Sequence, residues 1–156
     1  MNGLKKTYVI AEMACSHDGD SDLAKTIIDA AIKAKADAIQ FQIWLAEDLM
    51  VPYHSQFEFH QNLQLTHEQW ANLAGYVRDR APWMQIIACV YDKRSVDFAE
   101  TINVDAFKIH SSDLSNKLLL KHVAQTNKRI DLSTGASTIA EIQEGIQNIR
   151  ENPGAN

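Results

Sequence analysis

The chain reads as an α/β protein of about five consecutive β/α units with a parallel sheet. Three observations predict this. Short β-branched apolar runs alternate with amphipathic segments from end to end. The runs look apolar on both faces, as strands covered by helices on two sides must be. Polar residues collect just after each run, at the edge where parallel α/β sheets bind their ligands.

The elements follow in order. Thr7–Met13 is the first strand, and it ends in the turn-rich string Ala-Cys-Ser-His-Asp-Gly-Asp. Asp20 or Ser21 can cap the next helix, Asp22–Lys35, where Leu23, Ile27, Ala30, Ala31 and Ala34 recur at helical spacing. Asp37–Ile43 is the second strand. Trp44–Leu65, with Pro52, reads as an elaborated loop that can carry a helical turn. Thr66–Arg80 is a helix with Thr66 as cap, Gln69 three residues on, and Trp70, Leu73, Ala74 and Val77 on one face. Ala81-Pro82 stops it. Met84–Val90 is the third strand, Tyr91–Thr101 the third helix and Ala106–His110 the fourth strand. Leu114–Thr126 is helical, and Lys128–Leu132 is the fifth strand, leaving through Ser133-Thr134-Gly135. Ser137–Glu151 is the last helix, with an apolar stripe of Ile139, Ile142, Ile146 and Ile149, and Asn152-Pro153-Gly154 ends it. No composition break divides the chain, so one domain is expected. This series fits a doubly wound sheet or part of a TIM (β/α)8 barrel.

Composition narrows the function. The chain has 156 residues, 46% hydrophobic and 22% charged, enough for one packed core and wrong for collagen, a disulfide scaffold or a disordered tail. A net charge of −5 argues against a nucleic-acid partner. Cys15 and Cys89 are too few for a secreted framework and read as reduced thiols, so a cytoplasmic protein is expected. No apolar run approaches a membrane span, and the basic start followed so soon by Glu12 does not read as a signal peptide. No glycine-rich nucleotide fingerprint follows any strand.

The polar residues at the strand ends are Glu12, Ser16, His17 and Asp18; Gln40 and Gln42; Cys89, Tyr91 and Asp92; Lys108, His110, Ser111 and Asp113; and Asp131, Ser133 and Thr134. Strand ends ordinarily meet polar loops, which accounts for part of this set. Three features exceed that. Lys108 interrupts an apolar strand and needs an anion or a carboxylate, either a ligand or an ion pair with Glu12 or Asp113. Ser111-Ser112 and Ser133-Thr134-Gly135 offer hydroxyls and backbone N–H groups, for an anion or for helix capping. Glu12 lies in an apolar strand, as a pair partner or as a catalytic acid/base. His17 either faces the site or bonds within its loop, and His110 is a ligand, an acid/base or a packed ring. His54, His60, His67 and His122 read as solvated, and Trp44, Trp70 and Trp83 as core or loop anchors. Cys89 reads as an inert buried thiol rather than a nucleophile. No His/Cys spacing supports a metal site.

Several strings together resemble one family. Tyr8-Val9-Ile10-Ala11-Glu12, His17-Asp18-Gly19-Asp20, Leu23-Ala24-Lys25 and Ile28-Asp29-Ala30-Ala31 are similar to the opening of the sialic acid synthases. Those are the N-acetylneuraminate synthases with their legionaminate, pseudaminate and spore-coat relatives. Ala36-Asp37-Ala38-Ile39, Phe41-Gln42, Leu65-Thr66, Glu68-Gln69-Trp70, Phe107-Lys108-Ile109, Ser111, Asp113 and Leu132-Ser133-Thr134-Gly135 continue the match in order. The resemblance implies a partial TIM barrel, the N-terminal portion of a catalytic barrel. It implies an enzyme that condenses phosphoenolpyruvate with an N-acetylated amino sugar, such as N-acetylmannosamine, to a nine-carbon 2-keto sugar acid and phosphate. A divalent metal, manganese or magnesium, polarises the open-chain aldehyde in that family.

Carried over by position, Lys108, Ser111 and Ser133 hold the phosphoenolpyruvate anion, Glu12 orients substrate or water, and Asp113 supplies the second carboxylate. His17 matches the first-loop histidine. Gln40 stands where the family commonly has a phosphate-binding lysine, a loss of about 1.5–3 kcal/mol of charge-assisted contact. Cys89-Val90-Tyr91 stands for a typical Thr-Pro-Phe, and His110 for a glycine, where it could return the missing cation. Cys15, Ser16 and Ser112 also depart from the pattern. A full barrel runs about 250 residues, so the second half-barrel, the metal-binding histidines and the antifreeze-like domain are expected in sequence absent here. No residue of this chain inherits the metal role, and the isolated chain is expected to lack turnover. Its open sheet edges predict a homo-oligomer or a complementing chain. The alternatives are a non-catalytic half-barrel that binds an anion or sugar, and an aldolase using Lys108 as a Schiff-base nucleophile.

Overall fold

The computed structural model describes residues 6–152 and Gly154. The N-terminal stretch before Lys6 and the Pro153 stop lie outside the described residues. The strands are β1 (Ile10–Glu12), β2 (Ala38–Ile43), β3 (Gln85–Val90), β4 (Ala106–Ile109) and β5 (Arg129–Leu132). The helices are α1 (Ser21–Lys33), α2 (Ala46–Leu49), α3 (Phe57–Leu63), α4 (His67–Arg80), α5 (Lys93–Thr101), α6 (Lys117–Ala124) and α7 (Ile139–Arg150). A 3-10 turn spans Ser111–Asp113. All four strand pairings are parallel, in the order β1-β2-β3-β4-β5.

Helix starts follow the caps in the sequence. Asp20 accepts from the amides of Asp22 and Leu23 and opens α1. Thr66 and Gln69 form a capping box on α4, and Thr138 and Glu141 form one on α7. The buried face of α1 is Ala24, Ile28 and Ala31; Ala31 belongs to the expected stripe and Ile27 packs against the core from its edge, whereas Leu23 is exposed. The α4 face is as expected. Along α7, Ile139 is 71% exposed and only Ile149 of the stripe packs against the main core.

Two further corrections concern Trp44–Leu65 and the histidines. That segment is not a plain loop but carries α2 and α3, neither held by a side-chain N-cap, which hides them from a sequence reading. They are fixed from outside: Gln64 accepts from the Ala46 amide at 2.8 Å, and Arg94 pairs with Glu47 and Asp48 at 3.1 and 2.9 Å. His60, expected to be solvated, packs edge-on against Trp44, while His67 stacks on Phe98 and His122 bonds Asp97. Trp83 is exposed, unlike the buried Trp44 and Trp70.

The expectation of strands apolar on both faces holds for one face only. Ile39, Phe41, Ile43, Ile86, Ala88, Val90, Phe107 and Ile109 pack under the helices in one core. On the other face only Ala38, Ile87 and Ala106 form a small apolar cluster. The rest of that face is polar, because alternate residues in register point the same way. Cys89 stands beside Lys108 and Lys108 beside Asp131, while Glu12 stands beside Gln40.

The sheet curls around this polar face. A flat sheet would hold β1 and β5 about 19 Å apart at four spacings of about 4.8 Å. Yet Arg129 from β5 stacks on the Tyr8 ring just before β1, 5.0 Å from its centroid, and its Nη2 lies 3.5 Å from the Tyr8 hydroxyl. Curvature of this sense makes the open face the inner wall of a barrel.

Candidate functional site

Glu12 is held by two amides. Gln40 Nε2 donates to Glu12 Oε1 at 2.6 Å and Gln42 Nε2 donates to the same oxygen at 3.1 Å. Gln40 is 3% exposed, so its bond is the sheltered one of the pair. The strand register makes this contact, since Gln40 is the neighbour of Glu12 across β1 and β2.

Lys108 makes no hydrogen bond or ion pair among the described residues. The ion pair with Glu12 or Asp113 that could have explained it is therefore not formed. Asp131, its neighbour on β5, is occupied by Arg129, with Nε to Oδ1 at 3.2 Å and Nη2 to Oδ2 at 3.3 Å. Lys108 instead lines a cavity of about 520 Å³ with Tyr8, Ile10, Gln40, Arg129, Asp131, Leu132 and Ser133. Arg129 closes its floor by reaching Tyr8 and Gln85.

Ser111 and Ser133 separate. Ser133 lines the Lys108 cavity, whereas Ser111 lines a neighbouring cleft of about 310 Å³ with Ser112, Ser115, Gly135, Ser137 and Glu141. The two hydroxyl-bearing turns do meet, because Ser111 Oγ lies 3.8 Å from where a Cβ on Gly135 would stand. Asp113 is tied into its own turn: Ser112 Oγ donates to Oδ2 at 3.2 Å and Asn116 Nδ2 to Oδ1 at 3.3 Å.

A third cleft, about 320 Å³, opens above the strand ends among Cys15, Gln42, Trp44, Leu49, Met50, His60, Tyr91, His110 and Ser112. His110 is exposed at its rim, with Nδ1 3.0 Å from Ser112 Oγ, and it does not line the Lys108 cavity. Burial pushes the Cys89 thiol up to about 11 and raises the Tyr91 hydroxyl that bonds it, so both stay protonated at neutral pH. Cys15 Sγ contacts Gln42 Oε1 at 3.8 Å, and burial, then Asp18, raises its thiol.

His17 stands apart. It is 2% exposed, its Nδ1 accepts from the Gly19 amide at 3.1 Å, and its ring meets Trp70 edge-on. Burial pushes its pKa down, against the opposing pull of Asp18. Gln42, Tyr8 and Arg129 were not singled out as ligand-binding residues from the sequence, yet they shape the clefts. The period-two alternation Tyr8-Ile10-Glu12 and Arg129-Asp131-Ser133 was the available signal.

Among the described residues no three His, Cys, Asp or Glu side chains converge as a metal would require. Glu12 has one oxygen committed to two amides and Asp113 has both in its turn. This donor set does not fit a divalent metal, and no chemistry is derived through one.

Residues 27–156 match the NeuB family. The chain belongs to that family. It is 37% identical over 146 residues to an uncharacterized protein of Methanocaldococcus jannaschii, covering 94% of this chain and 43% of that protein. It is 31% identical over 163 residues to the N,N'-diacetyllegionaminic acid synthase of Campylobacter jejuni, covering 96% of this chain and 48% of the synthase. The chain thus spans about half the length of these curated relatives. The crystal structure of an N-acetylneuraminic acid synthetase from Leptospira borgpetersenii superposes with a TM-score of 0.88 at 24% identity, over 97% of this chain and 54% of that one, and establishes the fold. The five parallel units are a partial TIM barrel. No described helix is long and apolar enough to cross a membrane.

Proposed function

We propose that this chain is the phosphoenolpyruvate-binding part of a sugar-acid synthase, which joins phosphoenolpyruvate to an N-acetylated amino sugar such as N-acetylmannosamine. The observation that carries the reading is the half-buried Lys108 ammonium, which lines a cavity and has no carboxylate partner among the described residues. A buried-side cation left unpaired is costly unless a ligand anion completes it. Lys108 and Ser133 take the phosphate, with Ser111 at the adjoining turn. Glu12, steered by Gln40 and Gln42, accepts a hydrogen bond from a sugar hydroxyl or from the attacking water. The cleft suits the N-acyl arm, since Trp44, Leu49 and Met50 offer an apolar wall and Gln42 an amide beside the polar His60, His110 and Ser112.

In the reaction C3 of the enol phosphate bonds to the aldehyde carbon, and the aldehyde oxygen takes up a proton. Water adds at C2, and the bond from the C2 oxygen substituent to carbon breaks as phosphate leaves and the 2-keto group forms. The manganese or magnesium expected of the family would polarise the aldehyde, with ligands from outside the described residues. His17, buried under the first loop, would act on the loop rather than on substrate. We place the protein in the cytoplasm, in keeping with two free thiols, and expect its open edges to be met by a second copy or by a complementing chain.

The test is calorimetric titration with phosphoenolpyruvate. Binding at millimolar or lower concentration that is lost in Lys108→Ala supports the reading, and absence of binding to wild type refutes it. The committed Gln40 amide favours a second reading, a non-catalytic anion- and sugar-binding module. That module would bind phosphoenolpyruvate yet release no phosphate when amino sugar and manganese are added to the full assembly.

A further inference from the structure

The loop between β1 and α1, residues 14–20, is bent against its own preference. Ala14 and Asp18 both sit in the left-handed region, at φ 49° and 47°, where a side chain is disfavoured. Gly19 follows at φ +76°, pressed so closely on α3 that a Cβ would stand 2.3 Å from the Asn62 carbonyl oxygen. Such a bend persists only where other contacts hold it. At its centre is His17, which is 2% exposed. Its Nδ1 accepts from the Gly19 amide at 3.1 Å, and its ring meets Trp70 of α4 edge-on, 5.5 Å between centroids.

A backbone N–H can only donate, so Nδ1 carries no proton and the imidazole is neutral. A second proton would turn Nδ1 into a donor facing a donor and put a charge under the loop. The packed elements do not balance that charge: α4 offers the Trp70 indole, itself a donor, and α3 meets the loop with the Asn62 backbone. Asp20 is occupied by the α1 amides. Burial pushes the His17 pKa down, and Asp18 pulls it back in part. The same loop reaches the cleft. Cys15 Sγ contacts Gln42 Oε1 at 3.8 Å, and Gln42 Nε2 donates to Glu12 Oε1 at 3.1 Å.

We propose that His17 is a positioning residue, an acid-sensitive catch that holds the first loop against the Gln42–Glu12 corner while its ring is neutral and frees the loop when the ring is protonated. The charged ring cannot accept the Gly19 amide, and the bend at Ala14 and Asp18 then relaxes. An open loop takes up its proton near pH 6.5, the closed loop only below it. Closure is therefore complete above pH 6.5 and weakens as pH falls through the lowered value. The catch acts whether or not phosphoenolpyruvate is the ligand, so its failure leaves the proposed function standing.

The test is an NMR titration of the full chain across the histidine range, from about pH 8 to about pH 5. One step is expected, with its midpoint below 6.5, in which the His17 ring, the Gly19 amide and the Gln42 side-chain amide shift together. Hydrogen-exchange protection of the loop amides, corrected for the intrinsic pH dependence of exchange, is expected to fall by about tenfold per pH unit through that step. The amides of β3 and α4 keep theirs. His17→Asn supplies an oxygen that can accept the Gly19 amide but takes no proton, and is expected to abolish the step with the loop still closed. A His17 midpoint at or above 6.5 overturns the proposal. So does a Gly19 or Gln42 amide that does not follow His17, or the same step persisting in His17→Asn. If His17→Asn does not fold, the wild-type titration decides by itself.

Discussion

The Glu12 clamp lends itself to a quantitative test. Gln40→Leu removes the sheltered 2.6 Å donor and leaves the more exposed 3.1 Å bond from Gln42. A hydrogen bond to a charged group is worth about 1.5–3 kcal/mol, and the loss falls near the bottom of that range when the carboxylate can turn to water. Gln40 is buried but Glu12 is exposed, so Gln40→Leu is expected to cost about 1.5–2 kcal/mol at pH 7. For a chain of this size that is a fall in Tm of about 3–8 °C. Gln42→Leu, acting on the exposed bond, is expected to cost about 1 kcal/mol or less. Urea unfolding of wild type, Gln40→Leu, Glu12→Gln and the double variant completes a thermodynamic cycle, with an expected coupling above about 1 kcal/mol. A coupling near zero, or a larger loss for Gln42→Leu than for Gln40→Leu, would refute the clamp.

Other predictions follow the same packing. Lys108→Ala is expected to leave stability within about 0.5 kcal/mol, because no partner among the described residues is lost; a large loss in urea unfolding would mean that the ammonium has a structural role. Gly19 sits at φ +76°, and a Cβ there would stand 2.3 Å from the Asn62 carbonyl oxygen of the backbone, so Gly19→Ala is expected to cost more than about 2 kcal/mol and to loosen α3, read by proteolysis. The Cys89 thiol, raised from 9.0 to about 11 when folded, binds a proton in the native state that the unfolded chain has released. Its contribution is complete below pH 9 and fades as pH rises toward 11, by about 2–3 kcal/mol. Cys89→Ala should flatten that slope relative to wild type, and identical slopes would count against the assignment. Phe107→Ala, at the centre of the main core, is expected to cost about 3–5 kcal/mol in the same unfolding assay.

Much of the fold was legible because it is written locally. Each strand run and each capping residue acts within a few positions, and Thr66 with Gln69 names the start of α4 without help. The two short helices after β2 were not legible, because Gln64 and Arg94 hold them from outside the segment. On α1 the buried face takes in Ala24 and Ile28 beside the expected Ala31, while Leu23 is exposed. In the site, Glu12, Gln40 and Lys108 were visible as polar breaks in apolar strands. Their partners were not, since both Glu12 and Asp113 stood as candidate carboxylates for Lys108.

The sequence by itself determined the succession of strands and helices, the strand-end polar residues and the family, since these depend on side-chain period and order along the chain. Only the tertiary structure decided which charges remain free. The curl of the sheet brings Tyr8 to Arg129 across 121 positions, and Arg129 occupies Asp131. Among the described residues Lys108 is thereby left with no carboxylate partner, an outcome set by curvature and register, which no local stretch of residues encodes.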